Sequence, residues 1–337
     1  MYIVGSYTLA VIFCFVTMLC WGSWGNTQKL AAKSWRYELF YWDYVIGMVI
    51  FSLILAFTAG SIGSEGRPFM QDLAQVSWAS IGWVLLGAVI FNVSNILLSA
   101  SVSLAGMAVA FPLGVGIALV MGVLNNLLLH PTAGQNTTLL WIGVVLVVLA
   151  VICNGIASGK VSSEERDPAT NRKGIILALL AGIIMSFFSA LVYNGVDLDN
   201  FAAPAAGKMT PYTAMVIFAL GVFLSNFIVN TIVMKKPFVG EPVSYKQYFA
   251  GNFKTHLVGV LGGCIWALGT SLNYICAGTA GAAVSYALGQ GAPMVAAIWG
   301  VFIWKEFKGA PKKVYWLLAL MFALFVAGLA CVVKAGM

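Results

Sequence analysis

Apolar runs of about twenty residues, separated by short polar connections, recur from one end of the chain to the other. A helix needs about 20 predominantly apolar residues to cross the hydrocarbon core of a bilayer, and that ruler predicts ten transmembrane helices. They fall at residues 7–28, 39–59, 77–99, 104–127, 138–158, 174–194, 211–234, 256–277, 281–304 and 314–334. The longest charged connection, Lys160 to Lys173 (KVSSEERDPATNRK), follows the fifth run and reads as a solvated linker. It divides the chain into a first five-helix unit over 1–159, the linker over 160–173, and a second five-helix unit over 174–337.

Composition enters by exclusion. With 61% hydrophobic and 9% charged residues and a mean hydropathy of +0.94, the 337-residue chain cannot be a cytosolic enzyme, a disordered protein or a secreted module. The net charge of +7 is spread between apolar runs rather than along one basic face, so it does not point to nucleic acid. Fifteen of the eighteen Lys and Arg fall on the odd-numbered connections, counted from the N-terminus. The positive-inside bias therefore predicts cytoplasmic odd connections and both termini outside, in a membrane expected to be the bacterial inner membrane. Cys14, Cys20, Cys153, Cys264, Cys276 and Cys331 lie in or at the ends of apolar runs without a CxxC pair, and read as small buried hydrophobes.

Sliding the chain over itself by 175 positions aligns residues 83–120 with 258–295 without a gap. Ala105-Gly106, Ala108-Val109, Leu113-Gly114, Gly116 and Val120 recur as Ala280-Gly281, Ala283-Val284, Leu288-Gly289, Gly291 and Val295. Phe111 matches Tyr286, and Phe91 matches Trp266. Five spans is an odd number, so the second unit enters the membrane from the opposite side. The predicted fold class is thus an all-α integral membrane protein of ten transmembrane helices in two inverted five-helix repeats. Within the repeat, Phe111 to Gly116 (FPLGVG) and Tyr286 to Pro293 (YALGQGAP) carry Gly and Pro interruptions, which in a membrane point to a central binding site.

The run FPLGVGIALVMGVLNN (Phe111 to Asn126), with Tyr41-Trp42-Asp43-Tyr44 behind a basic loop, resembles the ureide permease branch of the drug/metabolite transporter superfamily. The layout and the passage Leu261-Gly262-Gly263-Cys264-Ile265-Trp266 are similar to the glucose/ribose and rhamnose-proton porters beside it. The resemblance implies a carrier for a small polar organic solute, either a sugar or a ureide or nucleobase.

Asp43 is the acid that lies inside an apolar run, one turn into the second span. An intramembrane acid is by default a functional candidate, here for ion coupling; the alternative is an interfacial carboxylate paired with Lys29, Lys33 or Arg36. No Lys or Arg lies at mid-span, which favours a neutral solute. Candidate solute contacts are Trp21, Trp24, Asn26, Asn92, Asn95, Phe111, Asn194, Trp266, Asn273, Tyr274, Tyr286 and Gln290. Amides donate and accept together, and aromatic faces stack on a sugar or a planar base. Any one of them alone reads as a helix–helix hydrogen bond or interfacial anchor; their concentration in a few spans favours a cavity. His130 and His256 lie near span ends, far apart in sequence, and no HExxH or CxxC offers a metal site. Gly22-Ser23-Trp24-Gly25 superficially resembles a serine nucleophile turn but has no accompanying His, so a hydrolase is set aside. The expectation is a non-enzymatic carrier without a cofactor, monomeric or homodimeric, taking up its solute with a proton or sodium. A monosaccharide ranks first as solute, a ureide or nucleobase second, and multidrug export third.

Overall fold

The computed structural model describes residues 1–31, 35–105, 107–161 and 167–337. Lys33 and part of the 160–173 linker therefore lie outside the described residues, as do the side chains of 107–109, 111 and 112. The chain is all-helical: α1 (Tyr7–Ser23), α2 (Gly25–Ala31), α3 (Tyr37–Phe57), α4 (Phe69–Gln75), α5 (Trp78–Ala105), α6 (Met107–Leu129), α7 (Thr137–Gly159) and α8 (Pro168–Met185). There follow α9 (Phe188–Tyr193), α10 (Pro211–Lys235), α11 (Tyr245–Phe249), α12 (Phe253–Ala280), α13 (Ala282–Gly289), α14 (Ala292–Ile298), a π-helical turn over Trp299–Ile303, and α15 (Lys312–Ala335). Among the described residues, nine helical stretches are long and apolar enough to cross a membrane, and α6 adds a shorter apolar stretch, Leu113–Leu129. The protein is thus an all-α, multi-spanning membrane protein.

Helix starts follow from polar side chains placed where backbone N–H groups would otherwise lack acceptors. Asn136 accepts from Leu139 N at 3.0 Å and Asn252 from Thr255 N at 2.9 Å. Pro168 and Pro211 open α8 and α10, where a missing N–H costs nothing. The two Gly/Pro motifs differ in outcome. Tyr286 to Pro293 is interrupted, with α13 ending at Gly289 and Pro293 helping to start α14, whereas α6 runs helically through Phe111 to Gly116. Pro293 follows its glycines and sits in the first turn of α14, where a missing N–H costs nothing, whereas Pro112 lies inside α6, which continues through it. The matched interruption expected from sequence is therefore present only in the second copy.

The helices pack in pairs: α5 on α8, α1 on α12, α6 on α8, α14 on α1, α10 on α5, α12 on α3, and α7 along α15. The closest approach joins α3 to α12. A Cβ on Gly263 would stand 1.9 Å from Tyr44 O, and one on Gly47 would stand 2.1 Å from Val260 O, so only glycine allows the two backbones to touch. Gly82, by contrast, has nothing within 4 Å of where its Cβ would be. Gly263→Ala should lower the unfolding midpoint in detergent by about 5–10 °C, the scale of an overpacked core, while Gly82→Ala leaves it unchanged. A Gly263→Ala midpoint equal to wild type would show that the α3–α12 contact is loose.

Candidate functional site

A cavity of about 520 Å³ enters the bundle from the side that carries Lys29, Lys160 and Glu306, and small-solute sites are of this size. Its walls come from the α1–α2 junction (Trp24, Gln28), α5 (Asn95, Ser99, Ser103), α7 (Asn154, Ser158), α14 (Pro293, Ala296) and the segment after it (Gly300, Glu306, Phe307). Spacing four apart stacks polar side chains on one face of a helix, so Asn95, Ser99 and Ser103 form one polar ladder and Asn154 and Ser158 a second. The α5 ladder is biased toward acceptors. Ser99 Oγ donates to Asn95 O at 2.9 Å, Ser103 Oγ to Ser99 O at 3.2 Å, and Asn95 Nδ2 to Tyr41 OH at 3.2 Å. Both serine hydroxyl protons and one of the two Asn95 amide N–H groups are spent inside the protein, which leaves mainly oxygen lone pairs for a solute. At the mouth Lys29 pairs with Glu306, and its ammonium sits 4.5 Å from the Trp304 ring centroid.

Beyond the cavity the bundle is filled by aromatic rings. Trp266 lies 4.5 Å from Phe91, 6.3 Å from Tyr44, 6.0 Å from Phe218 and, nearly parallel, 6.4 Å from Trp21. Tyr274 meets Phe218 and Tyr193 at 6.1 and 5.6 Å, and His130 stands edge-on to Tyr193 at 5.8 Å. Burial pulls the His130 pKa below its usual value, so at neutral pH this ring is an uncharged part of the plug. Among the described residues, the cavity opens at the end that carries Lys29 and Glu306, and the rings fill the other end.

Of the solute contacts expected from sequence, Trp24 and Asn95 line the cavity, and Trp21 and Trp266 form the aromatic floor behind it. The rest go elsewhere. Tyr286 is buried against α6, donating to Ala118 O at 3.1 Å, with Gln290 on the same buried face. Asn92 ties α5 to α10 through Ser225 Oγ at 2.9 Å, and Asn273 donates to Ser285 O at 2.8 Å. Asn26 accepts from Trp304 Nε1 at 2.7 Å on the cavity rim, and the backbone carbonyl of Asn194 accepts from Lys208 in an outlying loop. The Phe111 side chain lies outside the described residues. Sequence reasoning missed Ser99, Ser103, Asn154 and Ser158, whose four-residue spacing inside apolar helices was the available signal.

Asp43 does not line the cavity. It is buried on the far side of α3, where Oδ1 accepts from Tyr248 OH at 2.7 Å and meets His256 Nδ1 at 2.7 Å, while Oδ2 accepts from Trp35 Nε1 at 3.2 Å. Of the partners expected for an interfacial Asp43, Lys29 is engaged with Glu306 and Arg36 with Glu38, and Lys33 lies outside the described residues. Burial pushes the Tyr248 hydroxyl well above its usual pKa, and its bond to Asp43 adds to the shift, so it remains a donor.

Long apolar helices around a cavity lined by polar side chains, with aromatic rings behind it, define a polytopic membrane protein with room for a small solute. The sequence model of the ureide permease family matches residues 40–173 and 168–335, and the chain belongs to that family, within the drug/metabolite transporter superfamily. It is a membrane transporter and not an enzyme. Its relatives include ureide permease 2 of Arabidopsis thaliana, 24% identical over 98% of both chains, and probable ureide permease A3 of Vigna unguiculata, 22% identical over 91% of this chain and 97% of that one. The L-rhamnose-proton symporter of Yersinia pestis bv. Antiqua is 26% identical over 54% of each chain. A protein of known crystal structure superposes with a TM-score of 0.62 at 16% identity, covering 96% of both chains, a likeness of fold.

In a cysteine-free background, Ser99→Cys and Ser158→Cys should react with a membrane-impermeant maleimide from the Lys160 side, and Asn226→Cys, fully buried, should not. Equal labelling of all three would mean that the cavity is not where the helices place it.

Proposed function

We propose that this protein is a secondary carrier that moves a small neutral polar solute together with a proton or sodium, with a ureide or nucleobase as the solute. The monosaccharide, first on the sequence alone, becomes the second reading. The observation that carries this order is the family match across nearly the whole chain to relatives named as ureide permeases. The sugar reading keeps the rhamnose-proton symporter, matched over about half of each chain. The acceptor-biased α5 ladder supports the same order, since a ureide or nucleobase presents several N–H donors and a planar face for Trp24.

The reading also takes the chain as ten spans in two inverted halves, residues 1–159 and 174–337, with α6 as the fourth span. Support comes from reciprocal packing: α5 on α8 answers α1 on α12, α6 on α8 answers α14 on α1, and α10 on α5 answers α12 on α3. The distribution of Lys and Arg supports an odd-connection side in the cytoplasm and termini outside, so the cavity described here opens inward. Solute contact is assigned to Trp24 and Asn95 among the residues singled out from sequence, and ion coupling to Asp43.

Uptake into proteoliposomes, with allantoin, uracil, a pentose, a hexose and a lipophilic cation, tests this reading. Saturable uptake of allantoin or uracil is expected, and Asn95→Leu should raise its KM about tenfold by removing one buried hydrogen bond. Transport of the hexose or pentose alone would restore the sugar reading, and transport of the cation alone would reject both.

A further inference from the structure

His256 is one of two histidines in the chain and stands 213 residues from Asp43, yet the fold joins them. Three separate pieces of chain deliver donors to one carboxylate: Trp35 ahead of α3, Tyr248 on α11 and His256 in the first turn of α12. The chemistry of these partners separates the two candidate ions. Hard cations are held by several oxygens, whereas a carboxylate ringed by an indole N–H, a phenol and an imidazole offers a cation no such cage. It offers a proton a good one, because an imidazole changes charge near pH 6.5 and a neighbouring carboxylate stabilises the imidazolium.

Exposure supplies the route. The Asp43 side chain is 2% exposed and that of His256 24%, on the side where the cavity opens. Nδ1 is committed to Asp43, and Nε2 faces the backbone of Gly251, where a Cβ would stand 2.7 Å away. The remaining neighbours are accounted for from each flank. Arg36 is held by Glu38 and by the carbonyls of Val239 and Glu241, and Lys246 and Lys254 are exposed. α10 presents Met234 and Phe227 to Trp42, and α2 presents Thr27 to Gly262.

We propose that Asp43 and His256 form one proton-binding dyad, loaded and emptied through His256 Nε2, and that this dyad rather than a sodium site couples solute movement to an ion gradient. The inference rests on the carrier reading above. On loading, a proton from water binds the imidazole and gives an imidazolium–carboxylate pair; on release that proton returns to water and the imidazole is neutral. The dyad reaches the solute through α3 and α12. Tyr44, next to Asp43, lies 4.9 Å from Trp24 and 6.3 Å from Trp266, and Tyr41 holds Asn95. Asp43 Cβ would be 2.4 Å from a Cβ on Gly259, so a change in the dyad is felt at once where α3 meets α12.

Allantoin transport in proteoliposomes tests it, with wild type, Asp43→Asn and His256→Gln under an imposed pH or sodium gradient. His256→Gln should lose pH-driven accumulation about tenfold or more and flatten the pH profile, while allantoin counterflow, which needs no net ion movement, persists. Accumulation with an unchanged pH profile, or accumulation driven by sodium in wild type, overturns the dyad. In case His256→Gln does not fold, histidine-labelled wild-type protein gives two imidazole signals, assigned with His130→Gln. Saturating allantoin should move the His256 midpoint by about one pH unit and leave His130 in place; an unmoved His256 overturns the proposal. Absence of allantoin counterflow in wild type would instead reject the solute assignment. The dyad would then stand or fall on Asp43→Asn, which must shift the His256 midpoint while His130 stays.

Discussion

Gly47 and Gly263 let α3 and α12 approach until backbone meets backbone, and the aromatic floor and the Asp43–His256 pair both sit on that approach. In lipid there is no hydrophobic force to press helices together, so small residues that permit close van der Waals contact fix which helices pair. Once α3 and α12 touch, Tyr44 and Trp266 are brought within 6.3 Å, and with Phe91 and Trp21 they make the floor on which the cavity rests. The same contact carries Asp43 and His256 together at its end. The cavity wall and the Asp43–His256 pair are therefore two faces of one ridge.

The apolar runs were legible because length against bilayer thickness is a one-dimensional property, and among the described residues each run falls on helical structure, several of them, such as 174–194, on more than one helix. The family was legible in FPLGVGIALVMGVLNN and the aromatic run around Asp43. The site was legible only in part. Trp24 and Asn95 reach the cavity, but Asn92 and Asn273 satisfy backbone or side-chain partners on neighbouring helices, and no feature of an amide in an apolar run says which use it serves. Serines were passed over because a hydroxyl in a membrane helix can bond to its own backbone; Ser99 and Ser103 do so and still line the cavity through their oxygens. His256 was invisible beside Asp43 because the pairing depends on two helices distant in sequence.

Among the described residues the cavity opens at one end while rings fill the other, and in the proposed carrier this asymmetry would give the reciprocal packing a use. A carrier needs two arrangements of similar energy in which the open and plugged ends trade places, and a solute or ion can shift that equilibrium only by binding one arrangement better than the other. Asn95 is joined to Tyr41 on α3, and Asp43 sits two residues further along the same helix, so a solute at Asn95 and a proton at Asp43, as proposed, would both act on α3. Binding one should therefore change the affinity for the other, and linkage makes the effect reciprocal.

The most direct measurement of that coupling is the proton count on solute binding. Calorimetric titration of the purified protein with allantoin near pH 7, in buffers of different ionisation enthalpy, reads the protons exchanged per solute bound. The account predicts net proton uptake from solution in wild type and none in Asp43→Asn. Binding enthalpies that are the same in every buffer for wild-type protein would contradict it.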